Sequence, residues 1–124
     1  MDAAEYDLIV IGAGPVGENV ADRAVQGGLS VVIVEAELVG GECSYWACMP
    51  SKTLLRPVAA LRAAKAVPGA AASVVGGVDV AATLASRDRM VHDWSDASQV
   101  EWLDGAGIDL VRGHGRLDGE RVVR

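Results

Sequence analysis

Residues 6–17 read YDLIVIGAGPVG, and this stretch decides the fold. Its first half, 6–11, is an apolar, β-branched run that is typical of a strand buried on both faces of a parallel sheet. The glycines that follow predict a tight turn, and a helix over about 16–27 ends at a glycine pair. Residues 30–34, SVVIV, predict a second buried strand that ends at Glu35. The sequence therefore predicts a complete β-α-β unit, and with it an α/β fold.

The turn after the first strand has the glycine spacing of a dinucleotide-binding loop. Gly12 permits the tight turn, Gly14 lets the backbone approach a pyrophosphate, and Gly17 lets the helix pack close to the sheet. The helix N-terminus then offers N–H groups and a positive dipole end to the phosphates. Glu35, 18 residues beyond Gly17, is placed to accept hydrogen bonds from ribose hydroxyls and to disfavour a 2′-phosphate. The alternative is a glycine-rich turn without a ligand.

The remaining sequence predicts more helices and one more short strand. The elements expected are a helix from Ser51, a flexible connection over 67–78, a helix over 79–103, a strand over 108–111, a turn over 113–115 and the start of a strand over 120–123. Pro50 fits just before or within the first turn of its helix, Pro57 is a candidate kink, and Asp79 is a plausible N-cap. On the first helix, the apolar face expected to pack on the sheet is Val16, Val20, Ala21, Ala24 and Val25.

The composition excludes several classes of partner. The net charge is -6 and the pI is near 4.7, which argues against nucleic acid and against an anionic membrane surface. The hydrophobic fraction of 51% is that of a globular chain. The N-terminus has no basic stretch followed by an apolar run, so we expect a cytoplasmic protein. Arginines near the end of the chain are interpreted as a solvated rim: Arg112, Arg116, Arg121 and Arg124.

The only two cysteines lie in residues 40–52, which read GGECSYWACMPSK. In a cytoplasmic protein a close pair is more often catalytic, redox-sensing or metal-binding than a structural disulfide. Cys43 and Cys48 approach a predicted helix N-terminus, a position that favours a thiolate, and their spacing allows a small disulfide loop. Two alternatives stay open, namely ordinary buried cysteines and a zinc site with His92 and His114.

These motifs resemble those of the pyridine nucleotide–disulfide oxidoreductases, the flavoenzyme family of dihydrolipoamide dehydrogenase, glutathione reductase and mercuric reductase. The redox-disulfide pattern of that family is GGTC, four residues and then C-x-PSK. The matching positions are Gly40, Gly41, Cys43, Cys48, Pro50, Ser51 and Lys52. The resemblance implies a Rossmann-like FAD-binding fold with a parallel sheet. Residues 1–124 would be its N-terminal segment, carrying the redox-disulfide loop 40–52, with the nicotinamide and dimerisation domains absent.

The resemblance also implies roles for single residues. Cys48 would be the thiol beside the flavin, in charge-transfer contact with it, and Cys43 the interchange thiol that attacks a substrate disulfide. The implied FAD contacts are Gly12, Ala13, Gly14, Pro15, Gly17, Glu35, Gly41, Lys52 and Gly115. No metal site is implied.

The activity implied is FAD-dependent disulfide oxidoreduction. Electrons would pass between NADH or NADPH, FAD and the cysteine pair to a small disulfide, dithiol or metal ion. The full-length protein would be a homodimer, and this segment alone would be inactive. Glu42 and the spacer 44–47 depart from the family pattern and leave the substrate open. The alternatives are a stand-alone FAD-binding or redox-sensing module, and a dehydrogenase that binds a nicotinamide at the first β-α-β unit.

Overall fold

A computed structural model of the chain describes residues 4–124. Its elements are β1 (Leu8–Ile11), α1 (Pro15–Gln26), β2 (Val31–Glu35), α2 (Gly41–Tyr45), α3 (Cys48–Ala66), α4 (Val80–Met90), α5 (Ala97–Ala106) and β3 (Asp109–Arg112), with 3₁₀ turns at Ala71–Ser73 and His92–Trp94. The described chain forms two compact units. The first contains residues 4–43 and 95–124, and the second contains residues 44–94. The polypeptide passes from the first unit to the second within α2.

The first unit is built on a three-stranded parallel sheet in the order β1-β2-β3, as the sequence predicts. Leu8 pairs with Val31, and Val32 pairs with Asp109. The central strand is the most buried of the three. The prediction that the first strand is buried on both faces is wrong. Its residues are only half-buried and Ile11 is 49% exposed, because among residues 4–124 this strand has a neighbour on one side only.

The core of the first unit lies where α1 and α5 cover the sheet. Its fully buried members are Ala13, Ala21, Val31, Ile33, Val39, Leu103 and Ile108. The expected apolar face of α1 is only partly correct. Ala21 is buried, but Val16 is 78% exposed and Val20 is 46% exposed. The helix instead turns the row that contains Gly17 and Ala21 toward the strands, since a glycine in that row allows the closest approach.

The predicted single helix over 79–103 is wrong, because the structure has two helices there. Asp79 caps the first as expected, and its carboxylate accepts a hydrogen bond from the Ala82 N–H at 2.9 Å. The helix ends at Met90, and His92, Asp93 and Trp94 have φ values of 51°, 51° and 58°. A left-handed backbone cannot continue the helical hydrogen-bond ladder, and residues 92–96, which read HDWSD, are weak helix formers.

The segment predicted as a cysteine loop is largely helical. Residues 41–45 form α2, and α3 begins at Cys48, three residues before the expected start. Pro50 lies in the first turn of α3 as expected, while Pro57 lies inside the helix and does not end it. The strand expected over 120–123 is reduced to one isolated antiparallel bridge from Leu117 to Val123. None of the helices within residues 4–124 combines the length and the apolar character that crossing a membrane would require.

Candidate functional site

The first part of the candidate site is the glycine loop, residues 12–17, which joins β1 to α1. Gly12 has a φ of 99°, a left-handed value that favours glycine, and its N–H donates to the Val34 carbonyl at 2.8 Å. Helix α1 begins at Pro15, and its N-cap Gly14 offers no side chain to the first N–H groups. The N-terminus of the helix is therefore open to an external anion.

Two glycines of this loop differ in the space around the position that a Cβ would occupy. A Cβ on Gly14 would have no heavy atom within 4 Å, so this residue borders open space. A Cβ on Gly17 would collide with the Gly12 carbonyl oxygen and would lie 3.2 Å from Val10 Cγ1. Gly17 is thus required by packing, whereas Gly14 leaves room beside the helix N-terminus.

Glu35 lies at the end of β2, and its carboxylate is tied to the glycine loop. One carboxylate oxygen accepts the Ala13 N–H at 2.6 Å, and the other accepts the Glu37 N–H at 2.7 Å. Each oxygen keeps a lone pair for a further donor, which suits the hydroxyls of a ribose. The open helix end, the free space at Gly14 and this carboxylate fit the pyrophosphate and ribose of a dinucleotide.

The segment that follows β2 lies against the same loop. We call residues 37–41 the entry segment, because it leads into the helix that carries Cys43. The Gly40 N–H donates to the Ala13 carbonyl at 2.8 Å. Gly41 has a φ of 57°, and a Cβ on it would lie 2.8 Å from Gly14 Cα. The structure therefore brings Gly41 to the glycine loop, and only a residue without a side chain allows this approach.

Gly115 lies beside the carboxyl ends of the first two strands. A Cβ on it would lie 3.1 Å from Val34 Cγ1 and 3.3 Å from Ile11 Cγ2. The backbone leading to it is fixed by the Gly113 N–H, which donates to the Glu35 carbonyl at 2.9 Å. In open α/β sheets, ligands bind at this end of the strands. The contact of Gly115 with an adenine stays a prediction.

Two residues that the sequence did not indicate as site residues, Asp96 and Arg112, hold the entry segment. The sequence predicts Arg112 in a solvated rim, yet its guanidinium donates to the Asp96 carboxylate at 2.6 Å. Burial raises the pKa of the Asp96 carboxyl, but hydrogen bonds from the Val39 amide and from Arg112 outweigh burial and hold this pKa below its usual value. The sequence held one signal for the position of Arg112. The predicted strand before this residue ends at the same edge of the sheet as the strand that carries Glu35.

The cysteines lie in consecutive helices. Cys43 is in α2 and Cys48 is the first residue of α3, and both are half-buried thiols. Lys52, in the first part of α3, is exposed. The roles of all three residues stay predictions.

Within residues 4–124, no three His, Cys, Asp or Glu side chains are grouped as a metal site would need. The described residues therefore give no support to the zinc alternative.

The comparison with known proteins agrees with this geometry. Residues 6–123 match the family model described as "Pyridine nucleotide-disulphide oxidoreductase". The chain belongs to this family. The fold comparison shows a similar fold, with a TM-score of 0.71 at 19% identity, in the Cu(II) complex of the HOCl-induced flavoprotein disulfide reductase RclA from Escherichia coli. That match covers 93% of this chain and 23% of the other.

Two groups of curated relatives are similar in sequence. A dihydrolipoyl dehydrogenase from Thermus scotoductus is 36% identical over 118 residues, covering 95% of this chain and 25% of the relative. A mercuric reductase from Lysinibacillus sphaericus is 31% identical over 113 residues, covering 90% of this chain and 21% of the relative. The chain thus spans about a quarter of the length of these relatives or less.

Proposed function

We propose that residues 1–124 are the N-terminal segment of the FAD-binding domain of a flavoprotein disulfide oxidoreductase. The observation that carries the proposal is the Glu35 carboxylate, held 2.6 Å from the Ala13 N–H beside an open helix N-terminus. The family model supports it over residues 6–123. Because the relatives are about four times longer, we place the nicotinamide and dimerisation domains of the working homodimer outside this segment.

The glycine loop and Glu35 would hold the FAD. The backbone N–H groups at the start of α1 would bind the pyrophosphate, and Glu35 would accept hydrogen bonds from the adenosine ribose. Pro15 would fix the first turn of the helix in the geometry that this requires. Gly115 would lie at the adenine end, and Lys52 would lie near the isoalloxazine ring. When bound, FAD supplies two-electron chemistry that links NADH or NADPH to a disulfide.

The two cysteines would carry the exchange with the substrate. Two electrons and two protons convert the Cys43–Cys48 disulfide into a dithiol. The Cys43 thiolate then attacks one sulfur of the substrate disulfide and releases the other as a thiol. Attack by Cys48 on the resulting mixed disulfide restores the Cys43–Cys48 bond and releases the second thiol. The substrate class is a small disulfide or, in the reverse direction, a dithiol. A metal ion that accepts electrons from the dithiol remains a third class.

Cysteine variants of the full-length protein test this proposal. We expect Cys43→Ser and Cys48→Ser each to lower disulfide turnover with NADH or NADPH by about 10³-fold or more, because the two thiols act as one unit. The matched control is Ser44→Ala, a substitution in the same short helix that should change turnover by less than about threefold.

Turnover of the wild-type protein, measured together with its FAD content, decides between an enzyme and a redox-sensing module. We expect every cysteine variant to keep its FAD, since the cysteines do not hold it. Full disulfide turnover in both cysteine variants would overturn the proposed chemistry. Bound FAD and a reducible cysteine pair without turnover, in the presence of either nicotinamide, would favour a redox-sensing module.

A further inference from the structure

The entry segment is held from two sides within the first unit. On one side it contacts the glycine loop, through the hydrogen bond from Gly40 to Ala13 and the close approach of Gly41 to Gly14. On the other side it contacts Asp96 and Arg112. The segment therefore has its position fixed by contacts that lie far away in sequence, and Cys43 follows two residues after its end.

On the second side, Asp96 and Arg112 form hydrogen bonds directly with the backbone of the entry segment. The Asp96 carboxylate accepts the Val39 N–H at 2.8 Å, and Arg112 donates to the Glu37 carbonyl at 2.6 Å. The two side chains are joined to each other at 2.6 Å. One donor and one acceptor of the entry segment are thus held by a single ion pair. The Val39 side chain is fully buried in the core.

The two residues of this ion pair stand on regular elements. Asp96 is the N-cap residue of α5, and Arg112 is the last residue of β3, which pairs in register with Glu35. The Asp96 side chain is only 15% exposed, so its charge is largely removed from water and its hydrogen bonds are stronger than those at an open surface. The ion pair therefore connects the rigid sheet and helix to an otherwise irregular segment.

We propose that Asp96 and Arg112 are positioning residues that set the affinity for FAD by holding the entry segment against the glycine loop. This inference rests on the proposed function, because it takes the glycine loop as the site of the FAD pyrophosphate. The hydrogen bonds that these side chains make to the backbone go to Val39 and Glu37, so both act through residues 37–41. A preorganised site binds more tightly because it pays less conformational entropy when the ligand arrives.

Asp96→Asn tests this in the full-length protein after removal of its FAD. This substitution keeps the shape of the side chain and removes its charge. Arg112→Gln is a second variant that breaks the same ion pair from the other side. The matched control is Asp118→Asn, since Asp118 forms an ion pair with Arg124 at 2.8 Å in the same unit, whereas the side-chain hydrogen bonds to Glu37 and Val39 come from Arg112 and Asp96.

The main measurement is the dissociation constant of FAD, obtained by flavin fluorescence titration well below the melting temperature of each variant. We expect Asp96→Asn and Arg112→Gln each to raise this constant about tenfold, as the loss of a charge-assisted hydrogen bond would. Asp118→Asn should leave it within about twofold. The double variant should lose no more than the worse single variant, because the pair acts as one unit.

The outcomes separate this inference from the proposed function. A lower melting temperature with an unchanged dissociation constant for FAD would show a merely structural role and would overturn the inference alone. Additive losses in the double variant would also overturn it. A wild-type protein that binds no FAD would overturn the proposed function together with the inference.

Discussion

At the residue scale, Gly14 and Gly17 lack side chains for different physical reasons. Gly17 has no room for a Cβ, because the Gly12 carbonyl and Val10 occupy that space. Gly14 has extended backbone angles that any residue can adopt, and its Cβ position is open. Gly17 is therefore needed by the fold, and Gly14 is needed only if a ligand comes close to the backbone.

This difference predicts opposite results for two alanine variants. Gly17→Ala should destabilise the protein by about 3 kcal/mol or more, because neither the backbone of α1 nor the Gly12 carbonyl can move easily. Gly14→Ala should change the free energy of unfolding by less than about 1 kcal/mol while weakening FAD binding by about tenfold or more. Urea denaturation and a flavin fluorescence titration measure the two effects. Unchanged FAD affinity in Gly14→Ala would contradict the assignment of this loop.

Asp96 makes the stability depend on pH in a defined direction. Its pKa is lowered in the folded state, so its charge stabilises the fold fully above about pH 4, the ordinary aspartate value. This contribution is lost as the pH falls through the folded-state pKa. The free energy of unfolding of Asp96→Asn should therefore lie about 1–2 kcal/mol below wild type at pH 7. The gap should close in acid, and a gap that stays constant down to pH 2 would contradict this account.

At the element scale, the short α5 ends in two glycines of opposite character. Gly105 lies inside the helix, is exposed and has open space at its Cβ position. Gly107 is the C-cap and has a left-handed φ of 75°. A glycine inside a helix costs stability, whereas a glycine in a left-handed cap is the favoured residue.

We therefore expect Gly105→Ala to stabilise the protein by about 0.5–1 kcal/mol and Gly107→Ala to destabilise it by about 1–2 kcal/mol. Thermal or urea unfolding followed by circular dichroism measures both changes. Each variant is the control for the other, since both add the same methyl group to the same helix end. The same sign for both would mean that the helix does not end as described.

The elements with strong local signals were predictable from sequence. The β-α-β unit over residues 6–35 follows from apolar runs and glycines, and Asp79 was correctly predicted as an N-cap. The break between α4 and α5 was not predicted, because the apolar spacing runs through it and Val91 is buried there. Helix α2 was also missed, since a five-residue helix has almost no periodicity to detect.

At the scale of the whole molecule, the features that could not be predicted from sequence are contacts between segments distant in the chain. The glycine loop and its link to Glu35 follow one local pattern, so their place in the fold was predictable. The link from Asp96 to Val39 joins residues that no sequence pattern relates. The substrate could not be predicted from sequence for the same reason. Glu42 and Trp46 depart from the family pattern, and no local sequence pattern shows what either residue would contact.

Family membership and the length of the relatives also concern the whole molecule. The chain matches the family model over residues 6–123 yet covers about a quarter or less of each relative. Under the proposed function, the binding site for NADH or NADPH would lie in sequence outside residues 1–124. The redox reaction should therefore be measured on the full-length protein.

The visible absorption spectrum of the full-length protein, before and after anaerobic addition of two electrons per flavin, tests the central claim most directly. The account predicts oxidised flavin bands at first, and a long-wavelength shoulder after reduction, because the Cys48 thiolate would then lie against the flavin. The shoulder should be absent in Cys48→Ser and present in Ser44→Ala. Flavin bands without a shoulder in the wild type would contradict the coupling of the cysteines to FAD, and a protein without flavin bands would contradict the account as a whole.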